Sequence, residues 1–275
     1  FDGLRLQRLV KIGGYKLSIR AVLRVIFSNY FMAMLTPGAS GGAVAQVLVL
    51  RSYGVPISKG TPIVLIRTVF SIMFLVIMLP LVFLRDAIEI PYISRDMLLI
   101  FAVLAVIAAL VGTYILQTKY MRQFVYNLAQ RFKAHNTKDW LSKLETLNQG
   151  LGLLYKQPVQ SLIVFIESGL SLLCLYCIAP ALMYAFTPDI PIIDILDRMI
   201  LLNLILYFAP TPGGTGIAEG LFVVLFSAFV PNGTVGIIAV GWRVVAEYMP
   251  FFIGMYAVLT LYGRQFVAQE TSREQ

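Results

Sequence analysis

Thr36-Pro37-Gly38-Ala39-Ser40-Gly41-Gly42-Ala43 returns later in the chain as Thr211-Pro212-Gly213-Gly214-Thr215-Gly216-Ile217-Ala218. Five of the eight positions are identical, and Ser40 stands opposite Thr215. The match extends outward: Val55-Pro56 answers Val230-Pro231, and an Asn precedes each copy, Asn29 and Asn203. An Arg follows each copy inside an apolar run, Arg67 after the first and Arg243 after the second, at nearly the same offset. Pro-Gly clusters are rare in strongly hydrophobic chain unless a helix is to be broken there. Paired broken segments in the two halves of a membrane protein point to a transport site at the repeat interface.

Composition places the chain in a bilayer. Apolar residues make up 59% and charged residues 13%, against roughly 45–50% and about 25% in soluble domains. Residues 97–116 contain no charge, and residues 61–84 contain only Arg67. A helix needs about 20 apolar residues to cross the hydrocarbon. Several such runs in 275 residues exclude a soluble core as their common explanation.

The net charge of +8 does not signal nucleic acid, because the cations are grouped. Residues 1–24 hold Arg5, Arg8, Lys11, Lys16, Arg20 and Arg24 against Asp2, and residues 117–157 hold seven Lys and Arg against Asp139 and Glu145. Loops between spans are basic on the cytoplasmic side, and they attract anionic headgroups. Cys174 and Cys177 share one apolar run and His135 is the only histidine. A Cys-x-x-Cys pair alone makes no zinc site, so no metal and no cofactor is expected.

The expected fold is an all-α integral membrane protein, a single polytopic domain with an inverted-topology repeat and two re-entrant helical hairpins. Residues 17–35 form a helix ending at Thr36-Pro37, and residues 43–50 are too short to cross. Residues 61–84, 97–116 and 158–186 cross. Residues 192–209 run to Pro210-Thr211-Pro212, residues 217–230 are short again, and residues 234–262 cross. Repeat 1 covers about residues 17–116, the basic loop residues 117–157, with an amphipathic helix over 118–150, and repeat 2 about residues 158–262. With the loop in the cytoplasm, the first hairpin opens inward and the second outward, and the C-terminal tail lies inside. A thin, tilted crossing of 217–230 would put the tail outside. Non-helical backbone at depth is tolerated where it is buried or lines a cavity. The repeat also implies a helix upstream of Phe1.

The candidate site follows from these breaks. Pro37, Gly38, Gly41 and Gly42 in the first copy and Pro212, Gly213, Gly214 and Gly216 in the second break the helices. Restarting helices present unpaired N–H groups and a positive dipole end, which suit an anion such as a lipid phosphate. Close helix packing by small residues is the other reading. Charges within spans are costly and mark function. Arg67, Arg243, Glu219, Glu247 and Glu167, alone in its span, are the candidates, with polar Gln46 near the first break. A purely structural reading pairs Arg243 with Glu219 or Glu247. Asp194, Asp197 and Arg198, near the outer end of their segment, read as an interfacial cap or a local Asp194–Arg198 pair, and Arg20 and Arg24 as snorkelling side chains.

At these residues the sequence resembles a known family. Asn29, Thr36 to Gly42, Pro210 to Glu219, then Arg243, Tyr248, Pro250 and Gly254 are similar to the flippase-like or lysylphosphatidylglycerol synthase transmembrane-region family, which includes the membrane half of the bacterial multiple peptide resistance factor. Many members carry an acidic residue where this chain has Gly42, and an Arg shortly after, where it has Gln46. That departure removes the ion pair the resemblance implies at the first motif. The family also implies two helices before the first motif. Members fused to an aminoacyl-lipid synthase carry a large soluble C-terminal domain, and these 275 residues hold none.

The resemblance implies a lipid flippase that moves an anionic or aminoacylated phospholipid, such as lysylphosphatidylglycerol, or a related polar lipid between leaflets of a bacterial plasma membrane. With no ATP motif, the driving force is an ion gradient or the lipid's own. The alternatives are an enzyme, phosphatidylglycerol lysyltransferase, and a non-transporting scaffold. The enzyme needs a fold that binds aminoacyl-tRNA, which nothing in the sequence supplies. The expected partner is a membrane phospholipid and not nucleic acid, and a homodimer is left open.

Overall fold

The computed structural model describes residues 1–85, 95–115, 152 and 157–271. The basic loop, with its expected amphipathic helix, falls almost wholly outside these residues. The described chain is helical: α1 Asp2–Ile12, α2 Ile19–Leu35, α3 Ser40–Ser52, α4 Ile57–Leu84, α5 Arg95–Ile115, α6 Pro158–Tyr176, α7 Ile178–Tyr184, α8 Ile192–Leu206, α9 Ile217–Phe226, α10 Val235–Arg243 and α11 Met249–Thr271. A 3₁₀ turn, Ser227–Phe229, follows α9, and a π-helical segment, Val244–Tyr248, joins α10 to α11. Among the described residues, three helical stretches are long and apolar enough to cross a membrane: Ile57–Leu84, Pro158–Tyr184 and Val235–Gly263. At 1.5 Å per residue each is about 40 Å long. The run expected over 158–186 is two helices, α6 and α7, divided at Cys177.

The described chain forms two compact units, each drawing on both halves of the sequence. The first contains residues 1–16 and 56–172. Here α1 packs on α4, and α4 on α5. Phe165 of α6 meets Phe70 of α4 edge-on, with centroids 5.9 Å apart. Gly169 lies so close to the Phe74 ring that a Cβ there would collide with it. Glycine at 169 is therefore what lets α6 close on α4.

The second unit contains residues 17–55 and 173–275. Two helical hairpins stand in it, α2 with α3 and α8 with α9. α2 begins where the Ser18 hydroxyl accepts from Ala21 N–H at 3.3 Å, an N-cap bond. It ends because Pro37 disfavours helical geometry at the residue before it, and Thr36 is extended at φ −121°. An arginine ties the open end of each hairpin. Arg24 Nη1 of α2 donates to the Tyr53 hydroxyl at 2.6 Å, and Arg198 Nη1 of α8 donates to Leu225 carbonyl at 2.9 Å. The guanidinium of Arg198 also lies 4.7 Å over the Phe229 ring. Arg198 thus closes the second hairpin. α11 packs against α2 so closely that a Cβ on Gly254 would meet Phe27 carbonyl. Phe31 and Phe251 extend this seam at 5.3 Å. On the other side α10 packs against α7 and α9, with Trp242 stacked on Phe222 at 5.2 Å. Large apolar side chains such as Val224, Ile237, Phe252 and Tyr256 are left exposed, as helices in lipid require.

Candidate functional site

The two copies of the motif fold into the same turn. Gly38 and Gly213 have φ of 59° and 58°, and Ala39 and Gly214 of 54° and 67°. Ala39 N–H donates to Thr36 carbonyl at 3.2 Å, and Gly214 N–H to Thr211 carbonyl at 3.0 Å. Ser40 N–H donates to Pro37 carbonyl and Thr215 N–H to Pro212 carbonyl. The hydroxyls of Ser40 and Thr215 donate to those same carbonyls, at 3.1 and 2.8 Å. Two successive left-handed residues explain the glycines, since that region costs an L-residue roughly 1–2 kcal/mol. Ala39 is the one non-glycine residue at positive φ among the described residues.

The turns also meet. Pro37 and Pro212 face each other as an isolated antiparallel bridge, and a Cβ on Gly213 would lie 3.3 Å from Met34 Cα. Proline has no N–H, so the pairing cannot lengthen through these residues into a ladder.

Beyond the turn the copies diverge. The amides of Gly41 and Gly216 occupy the same position in their respective copies. In the first copy the Thr36 hydroxyl accepts from Gly41 N–H at 2.8 Å and donates to Met32 carbonyl at 2.8 Å. In the second the acceptor is Glu219, whose Oε2 lies 2.7 Å from Gly216 N. The equivalent hydroxyl, Thr211 Oγ1, is buried and has no hydrogen-bond partner. Helix α3 starts at Ser40, while Gly216 stays at a positive φ of 83° and α9 starts two equivalent positions later, at Ile217.

Arg243 completes the second site. Its side chain is 1% exposed. Nε donates to Glu219 Oε1 at 2.8 Å, Nη1 to Glu247, and Nη2 to Gly213 carbonyl at 3.0 Å and Thr215 Oγ1 at 3.5 Å. The guanidinium fork thus holds both carboxylates and the turn itself, a planar multi-donor task that lysine cannot copy. The structural ion pair open in the sequence exists with both partners at once. Glu247 reaches Arg243 from the π-helical segment, a geometry that recurs at functional sites. At the first site the polar pair is neutral. Buried Gln46 donates from Nε2 to Asn29 Oδ1 at 2.6 Å, and a Cβ on Gly42 would strike that same oxygen. Asn203, paired with Asn29 in sequence, instead donates to Met199 carbonyl within its own helix.

Arg67 and Glu167 lie in the other unit. Arg67 of α4 pairs with Asp2 of α1, which also accepts from Arg5 Nε at 2.6 Å. Arg5 in turn donates to the Ser71 hydroxyl at 2.8 Å. Burial alone would raise the Asp2 carboxyl, but the charges of Arg67 and Arg5 outweigh it and hold the carboxyl well below the usual carboxylate range. Glu167, the one charge in its span, is met by Arg8 of α1. Arg8 Nη2 reaches its Oε1 at 2.7 Å and Arg8 Nε its Oε2 at 3.1 Å, while Arg8 Nη1 donates to Gln160 at 3.1 Å. Sequence reading missed Asp2, Arg5 and Arg8 because they sit in a charged N-terminal stretch that reads as a topological signal.

These matched turns and intramembrane charges stand in a chain with known relatives. The sequence model described as "Lysylphosphatidylglycerol synthase TM region" matches residues 1–254, nearly the whole chain. The chain belongs to that family. Among curated relatives of this synthase-TM-region chain is a UPF0104 membrane protein of Archaeoglobus fulgidus, 22% identical over 268 residues, covering 93% of this chain and 80% of the relative. No solved structure matches this family member. It is a membrane protein with several apolar helices.

Proposed function

We propose that this protein moves a polar lipid, an anionic or aminoacylated phospholipid or a close relative, between the leaflets of the plasma membrane of a bacterium. One observation carries the reading: two copies of one motif, one in each half of the chain, make the same turn and meet at Pro37 and Pro212. A helix break costs backbone hydrogen bonds that lipid cannot replace, so two breaks set against each other need a purpose in a bilayer. In this reading the hairpins are re-entrant and open on opposite faces. The headgroup passes the breaks, where Glu219, Arg243, Glu247 and Gln46 supply the polar surface, and the acyl chains stay among the exposed apolar faces. Arg67 and Glu167, held by Asp2 and Arg8, fasten α1 to α4 and α6. A second copy of the chain is compatible with this arrangement.

The test is a leaflet assay on purified protein in phosphatidylglycerol and phosphatidylethanolamine vesicles. The probes are headgroup- or chain-labelled phosphatidylglycerol, phosphatidylethanolamine and lysylphosphatidylglycerol. At least one probe is expected to cross faster than in protein-free vesicles, and Glu247→Gln to slow it at least tenfold without loss of folded protein. Absence of transport for every probe sinks the proposal. Lysyl-lipid formed on adding lysyl-tRNA would replace it with the lysyltransferase reading.

A further inference from the structure

The second break leaves one polar group idle beside a cap that is in use. Gly216 N–H is taken by Glu219, while Thr211 Oγ1 is buried without a partner. In the first copy the equivalent threonine, Thr36, is the acceptor for the equivalent amide, Gly41. A buried hydroxyl with no partner costs free energy and calls for an explanation. The first copy supplies one, because it displays the conformation in which that hydroxyl is used. The residue between the two conformations is Gly216. Its φ of 83° is open to glycine, and so is the helical value that Gly41 adopts. In the conformation seen Gly216 faces open space, with nothing within 4 Å of a Cβ built there.

We infer that the second break is a two-state cap, in which Thr211 is a standby acceptor for Gly216 N–H. In the state seen, Glu219 caps α9 and Arg243 holds Glu219. In the other, Glu219 leaves Gly216, Thr211 takes the amide, and α9 grows back to start at Thr215 as α3 starts at Ser40. The exchange conserves the hydrogen bond at Gly216, so the two states differ little in backbone satisfaction. It moves Glu219, and through Arg243 it moves Gly213 and the turn that meets Pro37. A headgroup that draws on Glu219 or Arg243 would shift the balance. This deepens the transport reading and rests on it for its role, but the cap itself can be tested without transport. At the first break Thr36 already holds Gly41 N–H, and the turn stays fixed, so only one of the paired turns changes. Thr211 is thus a positioning residue for the site.

The experiment is a double-mutant cycle on the full chain, read by thermal unfolding in detergent and by the leaflet assay above. Thr211→Val alone is expected to leave Tm unchanged or raise it, because its hydroxyl is idle in the resting state. Glu219→Ala alone lowers Tm, and Thr211 then limits the loss. The double variant is expected to fall further than the sum of the single shifts by about 2–4 °C or more, the size of roughly one hydrogen bond in a chain of this length. Additive shifts overturn the standby cap, and so does a Tm loss in Thr211→Val as large as in Thr36→Val. In vesicles Thr211→Val is expected to slow transport of whichever labelled lipid the unmodified protein moves at least fivefold, with Thr211→Ser restoring it. Full transport by Thr211→Val at unchanged Tm overturns the two-state role even if the cycle is coupled. If the unmodified protein moves no probe, the transport reading fails, and the cycle alone decides the cap.

Discussion

The turn at residues 36–41 and the turn at residues 211–216 share their central hydrogen bonds and differ at their edges. Around the first, a hydroxyl caps α3 and an amide pair, Asn29 with Gln46, fills the space beside it. Around the second, a carboxylate caps α9 and an arginine binds that carboxylate, a second one and the turn. Neutral caps are short-range and hold one geometry. Charged caps inside a membrane are costly to expose and costly to leave unpaired, so they tie the turn to every partner that balances the charge. Repetition set the shape of both turns, and local chemistry made one of them a fixed clasp and the other a charge-linked one.

The largest expected effect breaks the charged side of this comparison. Arg243→Gln leaves Glu219 and Glu247 without their cation and should destabilise by about 3–5 kcal/mol, the cost of breaking a buried pair by removing one partner. Gln46→Leu at the first break removes a neutral hydrogen bond and should cost about 1 kcal/mol. Thermal unfolding of both in detergent checks the ratio, and equal losses would erase the distinction. Next comes a steric contrast. Gly214→Ala adds a Cβ 2.9 Å from Leu206 Cδ2 at φ 67°, and should cost about 1–3 kcal/mol, again read by thermal unfolding. Its counterpart Ala39 already tolerates the same conformation.

Smaller effects sharpen the picture. Thr36→Val removes the acceptor for Gly41 N–H and should lower stability by about 1 kcal/mol, read as a Tm loss of a few degrees. Smallest of all, Ala39→Gly relieves the left-handed alanine while loosening the unfolded chain. The two terms oppose each other, and a net change within about 1 kcal/mol is expected. A large loss in that variant would mean that the Ala39 methyl, absent from the second turn, does packing work specific to the first.

The repeat of the motif was readable because Pro and Gly dictate backbone geometry locally. Thr36-Pro37-Gly38 and Thr211-Pro212-Gly213 carry their turn in their own residues. The long apolar runs were readable for a similar reason, since burial in lipid leaves its record in composition. The pairing of Arg243 with Glu247 was within reach, because a charge four residues away on a helix is a neighbour by geometry, and Glu219, 24 positions away, was a candidate as the acidic residue beside the second break. Asp2 with Arg67 and Arg8 with Glu167 were not, since they join residues 65 and 159 positions apart. Charge counting assigned Arg5 and Arg8 to topology, and nothing in one sequence distinguishes a cation that faces headgroups from one that reaches a carboxylate in a span. The contrast between Thr36 and Thr211 was equally hidden, because identical residues in identical turns have different partners.

The division of the chain into units has a practical consequence. Residues 17–55 pack with residues 173–275, while residues 1–16 pack with residues 56–172. The polypeptide therefore passes from one unit to the other three times. A cut within residues 116–151 would release two fragments, each owning one turn and neither owning a whole unit. Co-expressed as separate pieces, such fragments could complete either unit only by finding each other. The protein is suited to a split design in which recovered folding reports the reunion of its halves.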